Sequence, residues 1–363
     1  MKKNDQTLIE NILENARWAP SGDNTQVWRF EIVNDSYFVV HGYDTRDFCV
    51  YDLQGHASQL AIGTLVESIA IAASAFGCKA EFQLRQDMPE TRPTIDVTLT
   101  KDQTIVADPL FPYLPERSVQ RRALKTTPLS AGQKQALEEA LGGSYHVYWI
   151  EGLKNRWRAA QLMFKNGKLR LTLPEAYPTH SIVIEWNSRF SDDKIPDQAV
   201  GLDPLATKLM KWAMQSWARI RFLNTYLSGT LLPGIELDLM PGLCCGAHFA
   251  LIAKEPLNST ADYLNAGRAL QRFWLTATQQ GLQMQPELTP LIFSYYIRNN
   301  ITFTKESKLT IYAKRLADRF DALIGKSNVE RAMFIGRIGH GKAAYSRSLR
   351  LPVEKLVTGA NTK

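Results

Sequence analysis

GTLVESIAIAASAFG, Gly63 to Gly77, and GRALQRFWLTATQQG, Gly267 to Gly281, are the two stretches that decide how this chain folds. Both run from glycine to glycine at one spacing. Leu65 aligns with Ala269, Val66 with Leu270, Ile69 with Phe273, Ile71 with Leu275 and Ala73 with Ala277. The first is apolar on most sides, the pattern of a buried helix. Self-similarity at a fixed offset is the mark of a repeated unit.

The surroundings repeat as well. The first half offers a helix over Thr7 to Trp18, stopped before Pro20 because the residue preceding proline avoids the helical region. "VWRFEIVNDSYFVVHGY" then reads as a hairpin turning at Asn34-Asp35-Ser36. The long helix over Leu53 to Phe76 follows, then strands in "AEFQLRQ" and "TIDVTLT". The second half offers a helix over Ala131 to Leu141, N-capped by Ser130 and stopped by Gly142-Gly143. A strand "YHVYWIE", a strand "HFALIAK", a long helix over Tyr263 to Gln280, a helix over Lys305 to Ile324 and a strand "AMFIGRIG" follow. The expected class is α+β, two pseudo-equivalent halves with antiparallel-mixed central sheets and buried long helices. The proline-rich "ADPLFPYLPE" marks the boundary, giving halves at 1–108 and 116–363. The second half carries a mostly helical insertion at about 155–240.

Composition narrows the function. The chain has 363 residues, 45% hydrophobic and 22% charged, an ordinary globular composition. Its net charge of +7 comes from scattered basic residues rather than blocks, which argues against nucleic acid. Four cysteines, two of them adjacent, suit neither a disulfide framework nor a zinc site. No secretory signal follows the opening lysines, and Leu205 to Leu232 carries four basic residues, too many for a span. A cytoplasmic protein without membrane or nucleic-acid partners is expected.

Four segments carry polar chemistry. "ARWAPSGDNTQVWRF", Ala16 to Phe30, places Pro20, Ser21, Gly22, Asn24 and Gln26 in a tight turn with aromatic flanks. "RSVQRR" supplies Arg117, Ser118, Arg121 and Arg122. "GLQMQP" supplies Gln283 and Gln285, and "RIGHGKAAYSRSLRLPVEKLV" supplies Arg347 and Arg350. By their residues alone these fit a helix stop with an Asx turn, a solvated basic linker and a charged tail. They fit equally a phosphate gripped by planar guanidinium forks, with amides and small residues at a polar ring edge.

Together the four segments resemble FMN-dependent nitroreductase-like proteins. "APSGDNTQVWRF" is similar to their Pro-Ser-x-x-Asn-x-Gln-Pro-Trp signature, and "RSVQRR" to their Arg-Ser-x-x-Arg phosphate segment. "GLQMQP" resembles the loop near flavin N5, and the C-terminal stretch resembles the one that returns to the phosphate. No match is visible across roughly 155–240. The resemblance implies a nitroreductase-like fold of the fused, pseudo-dimeric type. It implies FMN as cofactor, NAD(P)H as hydride donor to flavin N5, and a nitro, quinone or other small organic acceptor. No catalytic side chain and no metal are implied.

The halves are complementary: the first has the Pro20–Asn24 turn but no arginine segment before its first helix. The second has Arg117–Arg122 but only Gly142-Gly143-Ser144 at the turn. One complete FMN site per chain, and a monomer, are therefore expected. The insertion reads either as packed helices or as a lid. A lid would make the chain an FMN-storage or sensor protein with little turnover. His56 and His248 read as core histidines, and Cys244-Cys245 as inert thiols.

Overall fold

The computed structural model describes residues 6–358. Helix α1 (Leu8–Ala16) begins with a capping box. The Thr7 hydroxyl accepts from Glu10 N–H, and the Glu10 carboxylate accepts from Thr7 N–H at 2.7 Å. Its buried face is Ile9, Ile12, Leu13 and Ala16. Strands β1 (Trp28–Asn34) and β2 (Tyr37–Gly42) form the hairpin, its turn fixed by Ser36 N–H donating to Asn34 Oδ1 at 3.0 Å. Helix α2 (His56–Ala75) leads to β3 (Cys78–Leu84) and β4 (Thr94–Lys101). The sheet order is β1-β2-β4-β3, every pair antiparallel.

The second half begins with α3 (Ala131–Ala140), whose Ser130 closes a capping box with Gln133, and β5 (Tyr145–Ile150). The insertion follows, with α4 (Gly152–Thr172), α5 (Tyr177–Val183), α6 (Pro204–Ala213) and α7 (Trp217–Tyr226). The chain returns through β6 (Ala247–Ala253), α8 (Thr260–Gln279) and β7 (Leu282–Pro286). Helices α9 (Thr289–Arg298) and α10 (Ser307–Ile324) precede the last long strand, β8 (Ala332–His340). This sheet runs β5-β6-β8-β7, again antiparallel throughout.

Strand for strand, the two sheets therefore share one order and one set of directions. The mixed character expected of them is absent for a topological reason. The helix between β2 and β3 carries the chain past one strand position, so those strands are parallel but not adjacent. β4 fills the gap antiparallel to both. β6, β7 and β8 repeat the arrangement.

The long helices cross at their glycines. A methyl on Gly63 would lie 2.9 Å from the Gly267 Cα and overlap the Leu264 carbonyl oxygen. One on Gly267 would lie 2.7 Å from the Gly63 Cα and overlap the Leu60 carbonyl oxygen. Leu60 and Leu264 each stand three residues before their glycine, so the contact is reciprocal, as at a two-fold interface. Side chains repeat it. Arg272 Nη1 meets Glu67 Oε1 at 2.9 Å, and Gln271 Nε2 donates to Ser68 Oγ at 2.9 Å. By composition, Leu53–Ala75 is long and apolar enough to cross a membrane, but most of it is buried against the rest of the fold.

Two elements differ from the sequence expectation. Leu282–Pro286 is an edge strand rather than a loop, with Leu282 and Met284 buried and Gln283 and Gln285 half-buried on the other face. The period-2 pattern is there, but five residues are too few to stand out. Helix α9 was not foreseen. It starts at Thr289 with Pro290 in its first turn and buries Leu291, Ile292, Phe293 and Tyr296 against α4 and α10, so its apolar residues show no single stripe.

Candidate functional site

The turn after α1 is held in an uncommon backbone shape. Asp23, Asn24 and Gln26 have φ of 49°, 63° and 48°, three left-handed non-glycine residues among four. Such residues persist only where the surroundings fix them. Ser21 Oγ accepts from Gln26 N–H at 2.9 Å, and Thr64 Oγ1 on α2 donates to Pro20 O at 3.1 Å. Gln26, fully buried, uses its whole amide. Nε2 donates to Asp192 O at 2.9 Å and Asn24 O at 3.2 Å, and Oε1 accepts from Leu351 N–H at 2.9 Å. Asn24 Nδ2 donates to Asp192 O and Lys194 O, both at 3.2 Å, while its buried Oδ1 has no partner. Gly22 is exposed, with open space where a side chain would stand.

Three arginines from distant segments gather on the neighbouring backbone. Arg117, 3% exposed, donates through Nη2 to Trp18 O at 2.8 Å and lies over the Trp274 ring, 4.7 Å from its centroid. Arg350 donates through Nε to Ala19 O at 2.9 Å and through Nη1 to Leu349 O at 2.6 Å. Arg347 lies over the Trp18 ring at 5.1 Å and donates to Pro115 O at 2.8 Å. Arg117 Nε and Arg347 Nε are buried without a partner among the described residues. Among the described residues no carboxylate pairs with any of the three. Burial, then the charges of Arg350 and Arg347, hold Arg117 well below the usual guanidinium range. Burial, then Arg347 and Arg17, bring Arg350 down to about 9.

The segment from Arg117 to Arg121 runs beside β7, with Val119 bridging Met284 and Gln120 N–H donating to Met284 O at 3.0 Å. That brings half-buried Ser118 and Arg121 alongside Gln283 and Gln285, whose Oε1 is buried without a partner. Arg121 is fixed from behind. Arg337 Nη2 donates to its carbonyl at 2.6 Å, and Arg337 Nη1 donates to Glu287 Oε1 at 2.8 Å. Glu287 Oε2 also takes His248 Nδ1–H at 2.7 Å. Burial, the largest single influence, pulls His248 down, but Glu287 and Cys245 together, by charge and hydrogen bonding, push it up to about 10. The charged ring donates its second N–H to Gly242 O at 2.8 Å. His248 is thus a satisfied core histidine.

All four polar segments therefore meet in one place, and neither Arg117 nor Arg350 belongs to a solvated linker or tail. The insertion meets them there. Arg347 and Ser348 pair with Phe190 and Ser191, and Leu349 N–H donates to Ser191 O at 2.7 Å.

A second group had no local sequence signal. Asp23, Tyr51, Arg170, His180 and Asp238 come from the turn, the lead-in to α2 and three parts of the insertion. Tyr51 Oη lies 3.0 Å from His180 Nε2, with the rings stacked at 5.5 Å. Burial, then the Arg170 charge, pulls His180 down to about 3, so the ring is neutral and Tyr51 donates. Burial pushes Asp238 up to about 6, opposed by Arg170, and its Oδ2 has no partner. Asp238 fills the space that a side chain at Gly167 would need and stands in a π-helical turn, Ile235–Leu239. Burial also raises Asp23, opposed by Arg121 and Arg170. Arg121, Arg170, Asp23 and Asp238 thus share one half-buried region, and among the described residues none is in ion-pair contact with another. The only hint in the sequence was the insertion's length.

No family model matches the chain, and no curated protein matches it. Among solved structures it is similar to a nitroreductase-like family protein from Bacillus cereus. The identity is 13% and the TM-score 0.34, over 68% of this chain and 94% of that one. It is also similar to the FMN-dependent nitroreductase NfnB from Mycobacterium smegmatis, solved in complex with NADPH. There the identity is 16% and the TM-score 0.37, over 69% and 96%.

Proposed function

We propose that the chain is an FMN-binding oxidoreductase of nitroreductase type, holding one FMN between two halves that arose by duplication. The observation that carries the proposal is the pair of buried guanidiniums at Arg117 and Arg350 with half-buried Arg347 beside them and, among the described residues, no carboxylate paired with any of the three. Burying one unpaired charge costs several kcal/mol. Two, with a third guanidinium half-buried beside them, are tolerable where a dianion joins them, and a phosphate suits their forked geometry. The residues fit the cofactor at this end, with Ser118 adding a hydroxyl.

At the other end Asn24 Oδ1 and Gln285 Oε1 are free acceptors for ring N–H groups, and Arg121 can face the electron-rich side of the ring. Ser21, Gly22 and Pro20 shape the turn so that it can approach closely, and Gln283 flanks it. Gln26 holds the turn rather than the ligand. Bound FMN supplies hydride acceptance from NAD(P)H and hydride return to a small organic acceptor. The chain's part is to grip the phosphate, orient the ring and exclude water. The duplication is supported by the shared strand order and the reciprocal Gly63–Gly267 crossing. A monomer follows, since the halves already supply the interface to each other, and a soluble cytoplasmic setting accompanies it.

A second reading has its own observation. The amide donors of Asn24 and Gln26 are spent on Asp192 and Lys194 of the insertion, which closes that edge. A chain closed in this way stores or senses FMN with little turnover. Anaerobic mixing of the FMN-loaded protein with NADPH separates the two. Rapid bleaching of flavin absorbance supports the enzyme, and a slow or absent response supports the closed binder. A protein that takes up no FMN sinks both.

A further inference from the structure

The outer face of the insertion has a property that the flavin site does not use. On α6, Leu205, Lys208, Leu209 and Trp212 are exposed at positions i, i+3, i+4 and i+7, one continuous stripe, with Leu205 at 77%. On α7, Arg221, Phe222, Thr225 and Tyr226 form a second exposed stripe, and the helix has no buried residue at all. Both helices turn apolar residues outward. A soluble surface tolerates scattered exposed leucines, but two adjoining apolar stripes mark a contact face.

Charge selects the occupant. From Pro204 to Ile235 the chain has Lys208, Lys211, Arg219 and Arg221 and no Asp or Glu. Arg219 packs its guanidinium over the Trp212 ring at 4.9 Å, so positive charge and aromatic ring stand together. A second copy of this face would bring four positive charges against four. An anionic bilayer satisfies both features at once. Its headgroups take the basic residues, and its acyl boundary takes Leu, Trp, Phe and Tyr to a depth of about 5–10 Å. The charges that rule out a membrane span are the ones a surface-lying helix pair uses. We infer that α6 and α7 dock this protein on the surface of an anionic lipid membrane, a conclusion independent of the flavin.

The test uses the full chain with phosphatidylcholine vesicles, with and without one-third phosphatidylglycerol. Co-sedimentation is expected with the anionic vesicles only, weakening as salt rises. Trp emission is expected to shift blue on binding, and the shift should vanish in Trp212→Phe. Lys208 and Arg221 are exposed and make no side-chain hydrogen bond among the described residues, so Lys208→Ala/Arg221→Ala should fold normally. At about fivefold per charge it should bind about twenty-five-fold more weakly. Equal binding to both vesicle types, or no loss in the double variant, overturns the inference. So does a dimer in sedimentation velocity that Leu209→Ser/Phe222→Ser dissociates, if the wild-type chain ignores anionic vesicles.

Discussion

Gly63 and Gly267 face each other across the molecule, each leaving room for the carbonyl oxygen three residues before the other. In an exposed helix, alanine in place of glycine stabilises by about 1 kcal/mol. Here the sign reverses. Gly63→Ala or Gly267→Ala must push two backbones apart, and a loss of about 3 kcal/mol is expected. Urea denaturation reads it as a lower midpoint for both variants, whereas a surface glycine such as Gly132, with open space around it, should gain.

Arg117 separates binding from stability. Arg117→Met removes a buried, unpaired charge, so the cofactor-free protein should be as stable as wild type or more so. FMN affinity should fall about a hundredfold, from the loss of about 2–3 kcal/mol of charge-assisted hydrogen bonding. Thermal unfolding with and without FMN measures both.

Asp238 gives a pH signature. Burial raises its folded value to about 6, so between about 4 and 6 the native state holds a proton that the unfolded chain releases. Its contribution is present at low pH and lost as pH rises through about 6. Asp238→Asn should therefore gain up to about 3 kcal/mol at pH 7 and little at pH 4. Denaturation midpoints at the two pH values give the comparison. An equal effect at both places the carboxylate in solvent.

Asn24 joins the turn to the insertion. Asn24→Ala frees Asp192 O from one of its two donors and leaves Lys194 O with the Ser348 hydroxyl alone. Faster hydrogen exchange over residues 186–196 is expected, along with faster reduction of bound flavin by NADPH if the insertion gates access. Unchanged exchange would show that the insertion is held elsewhere.

Much of this was legible in the sequence, and the parts that were not have physical reasons. The glycine-bounded repeat marked the two helices that cross, because close helix crossing demands glycine at one register. The arginines were legible as types, since a planar fork has few uses in a turn-rich segment. Their burial was not, because only the fold shows that Arg117 and Arg350 lie beneath Trp18 and Ala19. Tyr51, Arg170, His180 and Asp238 left no motif. They meet through an insertion whose helices have no repeat partner, and its apolar residues point outward as well as inward.

The most direct measurement compares FMN with riboflavin, which lacks the phosphate, by equilibrium titration of the cofactor-free chain. The expected result is one FMN per chain, with riboflavin about a hundredfold weaker and the difference largely lost in Arg117→Met. Equal affinity for the two, two FMN per chain, or no uptake of either would contradict the account.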